Sequence, residues 1–331
     1  MKKKLLSALL CAAMVASLVI GCGSKEEPAA EAPAATEDAE VSAEEAEDEE
    51  NYETGDASLD NTRNQDEIGE NELLVVSFGT SFNDNRRLTI GAIEEKIEAA
   101  FPEYAVRRGF TSQIIIDHVM SRDNVKIDNV AEALDRAVAN GVKNLVVQPT
   151  LLMNGIEYEE LTTTLAEYSD SFESVTVGEP LLTSDEDFQK VATAIVDATA
   201  EYDDGKTAIV FMGHGTHHES NAVYAKMQTV LTEGGHKNYF VGTVEGSPML
   251  EEVMPLVEAG GYERVVLRPL MIVAGDHANN DMAGLEEAGA WAYEFEAAGY
   301  EVVSVVEGLG QIEAIQELLV EHTKAAVDSA K

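Results

Sequence analysis

Short apolar runs alternate with amphipathic stretches along most of the chain. LLVVSF (73–78) is a short strand-like run, and RRLTIGAIEEKIEAAF (86–101) has apolar residues at helical spacing. NLVVQPTLLMNG (144–155) and SVTVGEPLL (174–182) are again strand-like, and DEDFQKVATAIVDATAEY (185–202) is again helical. Apolar strands that alternate with amphipathic helices predict an α/β fold in which helices cover both faces of a parallel sheet.

Three segments of the second half repeat segments of the first. The segment TAIVFMGHGTHH (207–218) corresponds to ELLVVSFGTSFN. In the same way, RVVLRPLMIVAG (264–275) corresponds to NLVVQPTLLMNG, and EVVSVVEGLG (301–310) corresponds to SVTVGEPLL. This pattern predicts an internal duplication, with two similar doubly wound lobes at 72–200 and 201–331. Doubly wound sheets bind ligands at the carboxyl ends of their strands, so we expect the lobes to face a central cleft.

The first residues predict export. MKKK precedes the apolar core LLSALLCAAMVASLVI, and VIGC resembles the lipobox of bacterial lipoproteins. Residues 1–22 are therefore expected to be a lipoprotein signal peptide ending at a lipidated Cys22; the alternatives are a plain signal peptide or a short membrane anchor. The protein would then be extracytoplasmic and held on the cell membrane by its lipid alone. Cys11 lies in the removed peptide, which excludes disulfides and cysteine-ligated zinc.

Charge and missing motifs narrow the function. Residues 23–71 are acidic and contain few large apolar side chains, so we expect a disordered linker that buries too little surface to fold. The chain has a formal net charge of −40, and phosphate backbones need a basic surface, which excludes nucleic acid as a partner. The sequence contains no Walker A loop, no GxGxxG after a strand and no GxSxG, so nucleotide-driven and serine-hydrolase chemistry lose support.

Three residues of the second half directly follow apolar strands and can bind a metal. His214 follows IVFMG, Glu245 follows YFVGTV and His277 follows LRPLMIVAGD, each near a glycine that permits a sharp turn. Strand ends on one edge of a parallel sheet converge, so we predict a cluster of two histidines and one carboxylate. This set suits a divalent transition metal such as Co, Fe, Ni or Zn, with coordination positions left open. For each residue alone, the alternative is a loop or helix cap.

Two further histidines share the turn that contains His214. His217 and His218 are expected to be exposed turn residues at the start of a helix; the alternative is that they rim the cleft and recruit metal or ligand. Asp276 is expected to orient His277 or to cap the next helix.

Five segments together resemble the anaerobic-type sirohydrochlorin cobaltochelatases, a class II chelatase family. The resemblance runs in collinear order from about residue 72 to the C-terminus, and MGHG followed by AGDHANNDM is its most specific part. The segments are LLVVSFGTS (73–81), VRRGFTSQIII (106–116), VFMGHGTHH (210–218), VGTVEG (241–246) and LRPLMIVAGDHANNDMAG (267–284).

The resemblance implies two lobes around a tetrapyrrole cleft and insertion of Co²⁺ into sirohydrochlorin without ATP, in the anaerobic route to cobalamin. Co²⁺ would be the substrate metal, with Fe²⁺ or Ni²⁺ as alternatives. By matching motif, His214, Glu245 and His277 would hold the metal, and His214 would accept a pyrrole proton. The first-lobe residues expected to bind the tetrapyrrole on the opposite wall are Ser77, Thr80, Ser81 and Gln148.

The predicted export favours a second hypothesis. A lipoprotein of this kind outside the cytoplasm would bind haem, another tetrapyrrole or cobalt for uptake, or would remove metal from a scavenged tetrapyrrole. The sequence leaves open whether the chain forms a homo-oligomer.

Overall fold

The computed structural model describes residues 54–330. The predicted signal peptide with Cys22, and the predicted linker up to residue 53, lie outside these residues. Within the described part, no helix combines the length and the apolar character needed to cross a membrane.

The first lobe contains four strands and five helices. After the first strand comes α1 (83–100), a continuous helical segment whose middle turn, Arg87–Gly91, is π-helical. The elements are β1 (Asn71–Ser77), α1, β2 (Ala105–Phe110), α2 (Gln113–Asp123), α3 (Val130–Ala139), β3 (Asn144–Pro149), α4 (Ile156–Tyr168), β4 (Ser174–Val177) and α5 (Asp185–Asp197).

The second lobe repeats the four strands. A π-helical turn, Ala278–Met282, follows its third strand. The elements are β5 (Thr207–Gly213), α6 (Ala222–Glu233), β6 (Tyr239–Thr243), α7 (Leu250–Gly260), β7 (Arg264–Pro269), α8 (Trp291–Ala297), β8 (Glu301–Ser304) and α9 (Glu313–Ser329).

The two sheets have the same topology. All pairings are parallel, with strand order β2-β1-β3-β4 in the first lobe and β6-β5-β7-β8 in the second. The registers also correspond, since Pro149 pairs with Val76 and Pro269 pairs with Met212. The predicted α/β fold with two similar lobes is therefore confirmed. In each sheet the order reverses beside the central strand, the place where such sheets bind ligands.

The apolar runs are the central strands of both sheets. Every residue of β5 is buried, and β1 is buried from Glu72 to Ser77. Parallel strands covered on both faces need apolar side chains in both directions, which explains why these runs show no alternation. Each fully buried valine, leucine or phenylalanine contributes about 1.5–3 kcal/mol to folding.

Capping residues start two of the first-lobe helices. Asn129 Oδ1 accepts the Glu132 N–H at 2.9 Å at the start of α3, and Ser184 Oγ accepts the Asp187 N–H at 3.2 Å at the start of α5. In both cases the third helical residue bonds back to the cap, which satisfies backbone donors that a helix start leaves open.

The last helix crosses from the second lobe to the first. Helix α9 packs against α1, α5, β3 and β4, and Lys96 of α1 lies 2.6 Å from Glu313. Thr323 donates to Gln148 Oε1 at 3.2 Å beneath the first sheet. The buried residues of α9 belong to one apolar core that contains side chains of both sheets, so this helix packs across the boundary predicted at residue 200. The order of elements along the chain gave no sign of this crossing.

Residues 54–70, named here the N-terminal strap, pack on the first lobe. Arg63 is only 3% exposed and bonds to Glu94 at 3.2 Å, and Gln65 donates to the Val106 carbonyl at 2.9 Å along edge strand β2. The expectation of a disordered linker through residue 71 is therefore corrected for this segment. The composition gives the number of acidic residues in the strap but does not show that the lobe contains buried arginines that pair with them.

Asp60 connects the strap to two arginines of the lobe. Its carboxylate accepts from Arg86 Nε at 2.7 Å and from Arg108 Nη1 at 2.6 Å, and Glu94 binds the other side of the Arg108 guanidinium. Burial by itself would raise the pKa of Asp60, but the hydrogen bonds and charges of Arg108 and Arg86 outweigh it and hold that pKa below its ordinary value. The carboxylate therefore stays ionised, and the buried guanidinium groups stay paired.

The buried carboxyl of Glu72 makes folding stability depend on pH. Burial raises its pKa from 4.5 to about 7, although Arg107 lies 3.4 Å away. The folded chain thus keeps a proton that the unfolded chain releases above pH 4.5, so stability falls as pH rises from 4.5 to about 7. We expect Glu72→Gln to remove up to about 3 kcal/mol of this fall. Urea unfolding of the wild-type protein and of Glu72→Gln at about pH 5 and pH 8 measures the stability that each loses between these pH values. Equal losses in the two proteins would contradict the prediction.

Candidate metal centre at the strand ends of the second lobe

The three predicted ligands come from three adjacent strands. In the order β6-β5-β7, His214 follows the middle strand, while Glu245 and His277 follow the strands on either side. Their positions are linked through the backbone, since the Glu245 N–H donates to the His214 carbonyl at 2.8 Å. Neighbouring strands lie about 5 Å apart, so the loops that follow them meet above the sheet edge; the loop from Pro269 to His277 is the longest.

Gly215 allows the loop of His214 to approach the loop of Glu245. Its φ is +89°, a left-handed conformation that favours glycine, and a side chain there would collide with the backbone nitrogen of Gly246. The sequence GHG thus serves two purposes, a sharp turn out of β5 and close contact with the next strand end.

The side chains of the three residues form one cluster. One ligand atom from each of His214, Glu245 and His277 lies within 4.8 Å of the others, and all three residues are half-buried. The two imidazole rings are 4.6 Å apart between centroids at 77° to each other. The strand-end argument thus brought together the residues that the structure brings together, while metal binding by them stays a prediction.

Hydrogen bonds determine which nitrogen each histidine offers. His214 Nδ1 lies 2.8 Å from the Gly215 carbonyl, and His277 Nδ1 lies 2.6 Å from Asp281 Oδ2. Both partners accept, so each Nδ1 carries the hydrogen and each Nε2 keeps its lone pair. A metal ligand held in this way has a fixed tautomer and ring orientation.

Asp281 orients His277. The chain enters a π-helical turn after His277, and that turn places the Asp281 carboxylate against His277 Nδ1. Asp276 accepts from the Asn280 side chain at 2.6 Å. The expectation that Asp276 orients His277 or caps the next helix stays a prediction. The spacing from His277 to Asp281 is i to i+4, a signal that sequence reasoning missed because the segment lacks helical periodicity.

Tyr224 supports the His214 loop from below. Its hydroxyl accepts the Gly215 N–H at 3.2 Å, and its ring fills the space that a side chain at Gly213 would need. Burial raises the pKa of Tyr224 to about 12, so the phenol stays neutral. Sequence reasoning missed this residue, which lies ten residues after His214 in the helix that follows it.

The other two clustered histidines lie apart from the centre. His217 is exposed. His218 accepts the Ser220 N–H at its Nδ1, and its Nε2 lies 3.6 Å from Glu159 of the first lobe. His218 therefore caps a short turn and faces a carboxylate across the junction between the lobes.

The four residues predicted to line the opposite wall are all buried, and they differ in surroundings. Ser77 bonds to Thr150 at 2.7 Å, and the Gln148 amide donates to the carbonyls of Pro149 and Glu179. Gln148 also accepts from Thr323 of α9, so the side chains of both residues are already bonded within the protein.

Thr80 and Ser81 lie in the loop after β1. Thr80 lies against the second lobe, since a methyl group on Gly275 would lie 3.2 Å from its Oγ1. Ser81 Oγ is buried without a hydrogen bond among the described residues. Binding of the tetrapyrrole by any of the four stays a prediction.

The contact between Asp281 and His277 gives a sharp test of the centre. We expect Asp281→Asn to weaken Co²⁺ binding about 10- to 100-fold, because the amide no longer holds the Nδ1–H tautomer. Calorimetric titration measures the affinity. Asn280→Ala in the same turn removes the hydrogen bond to Asp276 and leaves Asp281 in place, so it serves as the control. An affinity loss equal to that of Asp281→Asn would show that the turn as a whole matters, and not the Asp281 carboxylate.

Comparisons with known proteins agree with this arrangement. The sequence model described as cobalt chelatase (CbiK) matches residues 71–328. The chain is 35% identical over 258 residues to the sirohydrochlorin cobaltochelatase of Salmonella typhimurium, covering 78% of this chain and 97% of that protein. It is 30% identical over 259 residues to sirohydrochlorin cobaltochelatase CbiKC of Nitratidesulfovibrio vulgaris, covering 78% and 90%.

Solved structures share the fold at lower identity. SirB from Bacillus subtilis with Fe³⁺ aligns with a TM-score of 0.50 at 14% identity, covering 78% of this chain and 97% of that one. A multi-domain protein of Deinococcus radiodurans with structural similarity to chelatases aligns with a TM-score of 0.52 at 18% identity, covering 77% and 55%. The family match spans both lobes and all three strand-end residues, and the chain belongs to the cobalt chelatase (CbiK) family.

Proposed function

We propose that the protein inserts Co²⁺ into sirohydrochlorin without ATP. The observation that carries the proposal is the cluster of His214, Glu245 and His277, which is half-buried at the strand ends of the second lobe. The names of the relatives in Salmonella typhimurium and Nitratidesulfovibrio vulgaris support the choice of metal and macrocycle.

The cluster suits a metal that must be passed on. Two imidazole nitrogens and one carboxylate bind a divalent ion of the cobalt type while leaving coordination positions open. The macrocycle nitrogens can occupy those positions before the protein ligands leave. The Glu245 side chain is 26% exposed and the His277 side chain 13%. The His214 side chain is 44% exposed and so lies nearest the approaching ring.

Insertion exchanges protons for metal. The macrocycle loses two N–H protons as Co²⁺ enters, so the cobalt product has the same net charge as the free macrocycle. Once Co²⁺ has moved from His214 to the ring, the freed Nε2 lone pair accepts one pyrrole proton, while Nδ1 stays on the Gly215 carbonyl. The charge of the metal favours loss of the second proton, which leaves to water. No step needs a nucleotide.

The test is turnover. Purified protein at one-hundredth of the concentration of sirohydrochlorin and Co²⁺ is expected to convert the whole macrocycle, followed by its visible spectrum. Glu245→Gln keeps the size of the side chain and removes its charge, so it is expected to be slow, and His217→Ala is expected to be normal. A spectral change that stops at one equivalent per protein would instead support a binding protein for haem, another tetrapyrrole or cobalt.

Parallel reactions with Fe²⁺ and Ni²⁺ decide the metal preference, and incubation with the cobalt product shows whether the protein removes metal.

We infer from the first 22 residues that the protein is lipid-anchored outside the cytoplasm. The motif VIGC and the positive start support the inference. Cys22→Ser is expected to move the protein from the membrane fraction to the soluble fraction. An unchanged distribution would reject the lipid anchor.

A further inference from the structure

A hydrogen bond joins the loop that carries His277 to the first lobe. Asn85 Oδ1, in the first turn of α1, accepts the Ala274 N–H at 2.8 Å, across 189 positions of sequence. Ala274 is 1% exposed and stands three residues before His277. The bond therefore acts on the backbone of the proposed metal-binding loop without touching the proposed ligands.

Close packing surrounds this hydrogen bond. Thr80 lies against Gly275, and a methyl group on Gly310 would lie 2.9 Å from Thr89 Cβ. The start of α1 and its π-helical turn thus contact two second-lobe loops, which follow β7 and β8. Asn85 lies between these two contacts.

The first-lobe side of the contact is held firmly. Thr89 Oγ1 donates to the Asn85 carbonyl at 2.6 Å, and Arg86 donates to the Thr80 carbonyl at 3.0 Å. The strap adds to this, because Asp60 bonds to Arg86 and the Asp84 N–H donates to the Thr54 carbonyl at 2.9 Å. The amide of Asn85 is therefore presented from a rigid surface.

We propose that Asn85 is a positioning residue for the metal centre. By accepting the Ala274 N–H it sets the distance of the His277 loop from the first lobe, and so fixes His277 relative to His214 and Glu245. The metal ligands follow three different strands, and β7 enters the longest of the three loops before its ligand. That loop is the one that needs support from outside its own lobe.

The experiment compares two substitutions of Asn85. Asn85→Leu keeps the volume and removes the acceptor, and Asn85→Asp keeps an acceptor at Oδ1. We expect Asn85→Leu to weaken Co²⁺ binding about 5- to 10-fold, the typical effect of one hydrogen bond, and to shift the visible absorption bands of bound Co²⁺. We expect Asn85→Asp to retain the wild-type spectrum.

The matched control is Asn129→Leu. It also removes an asparagine Oδ1 that accepts a backbone N–H, but this bond lies within the first lobe at the start of α3. Asn129→Leu is expected to lower thermal stability and leave the Co²⁺ spectrum unchanged. A wild-type spectrum and affinity for Asn85→Leu, or equal changes in both leucine variants, would overturn the proposal.

The inference rests on the proposed function only for its metal. Co²⁺ binding and the Co²⁺ spectrum are measured without a tetrapyrrole. Failure of the wild-type protein to insert cobalt would reject the proposed function, whereas the spectra would still test the role of Asn85. Where insertion occurs, Asn85→Leu is expected to lower kcat with little change in KM for sirohydrochlorin.

Discussion

Replacing His214 with alanine is expected to lower the rate of cobalt insertion about 10²- to 10⁴-fold, the usual effect of losing a positioned proton acceptor. The same change removes one of three proposed metal ligands, so Co²⁺ binding should weaken as well. The fold should persist, because His214 is 44% exposed and its ring supports no buried contact of the core. Single-turnover kinetics at saturating Co²⁺ separate the chemical step from metal binding.

His217→Ala is the control for this variant. It removes a histidine from the same turn, but one that is exposed and outside the cluster. Normal rates for His217→Ala with unchanged melting temperatures for both variants assign the effect to His214 itself. Insertion at the wild-type rate by folded His214→Ala would remove this residue from the mechanism.

Shortening the chain is expected to have a threshold inside the acidic N-terminal region. A protein that begins at residue 54 keeps the N-terminal strap and should fold and insert cobalt normally. A protein that begins at residue 71 leaves Arg86 and Arg108 buried without Asp60, and loses Arg63 from Glu94. Removing one partner of a buried ion pair costs about 3–5 kcal/mol, so we expect at least this loss in urea unfolding.

Two point variants separate the ion pairs from the length of the chain. Asp60→Asn in the full protein is expected to lose most of that stability. Asp66→Asn changes the same type of residue in the same strap, but Asp66 is 58% exposed where it pairs with Arg136, so the loss should stay below about 1 kcal/mol. Equal stability of the proteins beginning at residues 54 and 71 would show that the strap contributes nothing.

The fold and the grouping of the three proposed metal ligands could be predicted from the sequence for one physical reason. Parallel strands are apolar on both faces, so β1 and β5 stand out as unbroken apolar runs, and their ends mark one edge of each sheet. A chemically reactive residue immediately after such a run has its position fixed by the sheet. His214 and Glu245 satisfy this condition, whereas His277 follows the end of β7 at Pro269 by a longer loop; β5, β6 and β7 are neighbours.

Features that depend on an irregular turn or on partners distant in sequence could not be predicted. Asp281 reaches His277 because the chain adopts a π-helical turn. His218 faces Glu159 of the other lobe. The strap was expected to be disordered because its acids were counted as a net charge, whereas Asp60 is a buried counter-ion for two arginines.

Because α9 crosses to the first lobe, this lobe can complete its fold only after the C-terminal helix has been synthesised. One face of the first-lobe sheet is covered partly by α1 and is completed only when residues Glu313–Ser329 are available, although its strands are synthesised first. A nascent chain therefore carries an unfinished first lobe through almost the whole of translation, and contacts between distant segments close last. Proteolysis between the lobes would leave neither half with a complete core, so the two lobes form a single cooperative unit in spite of their duplicated architecture.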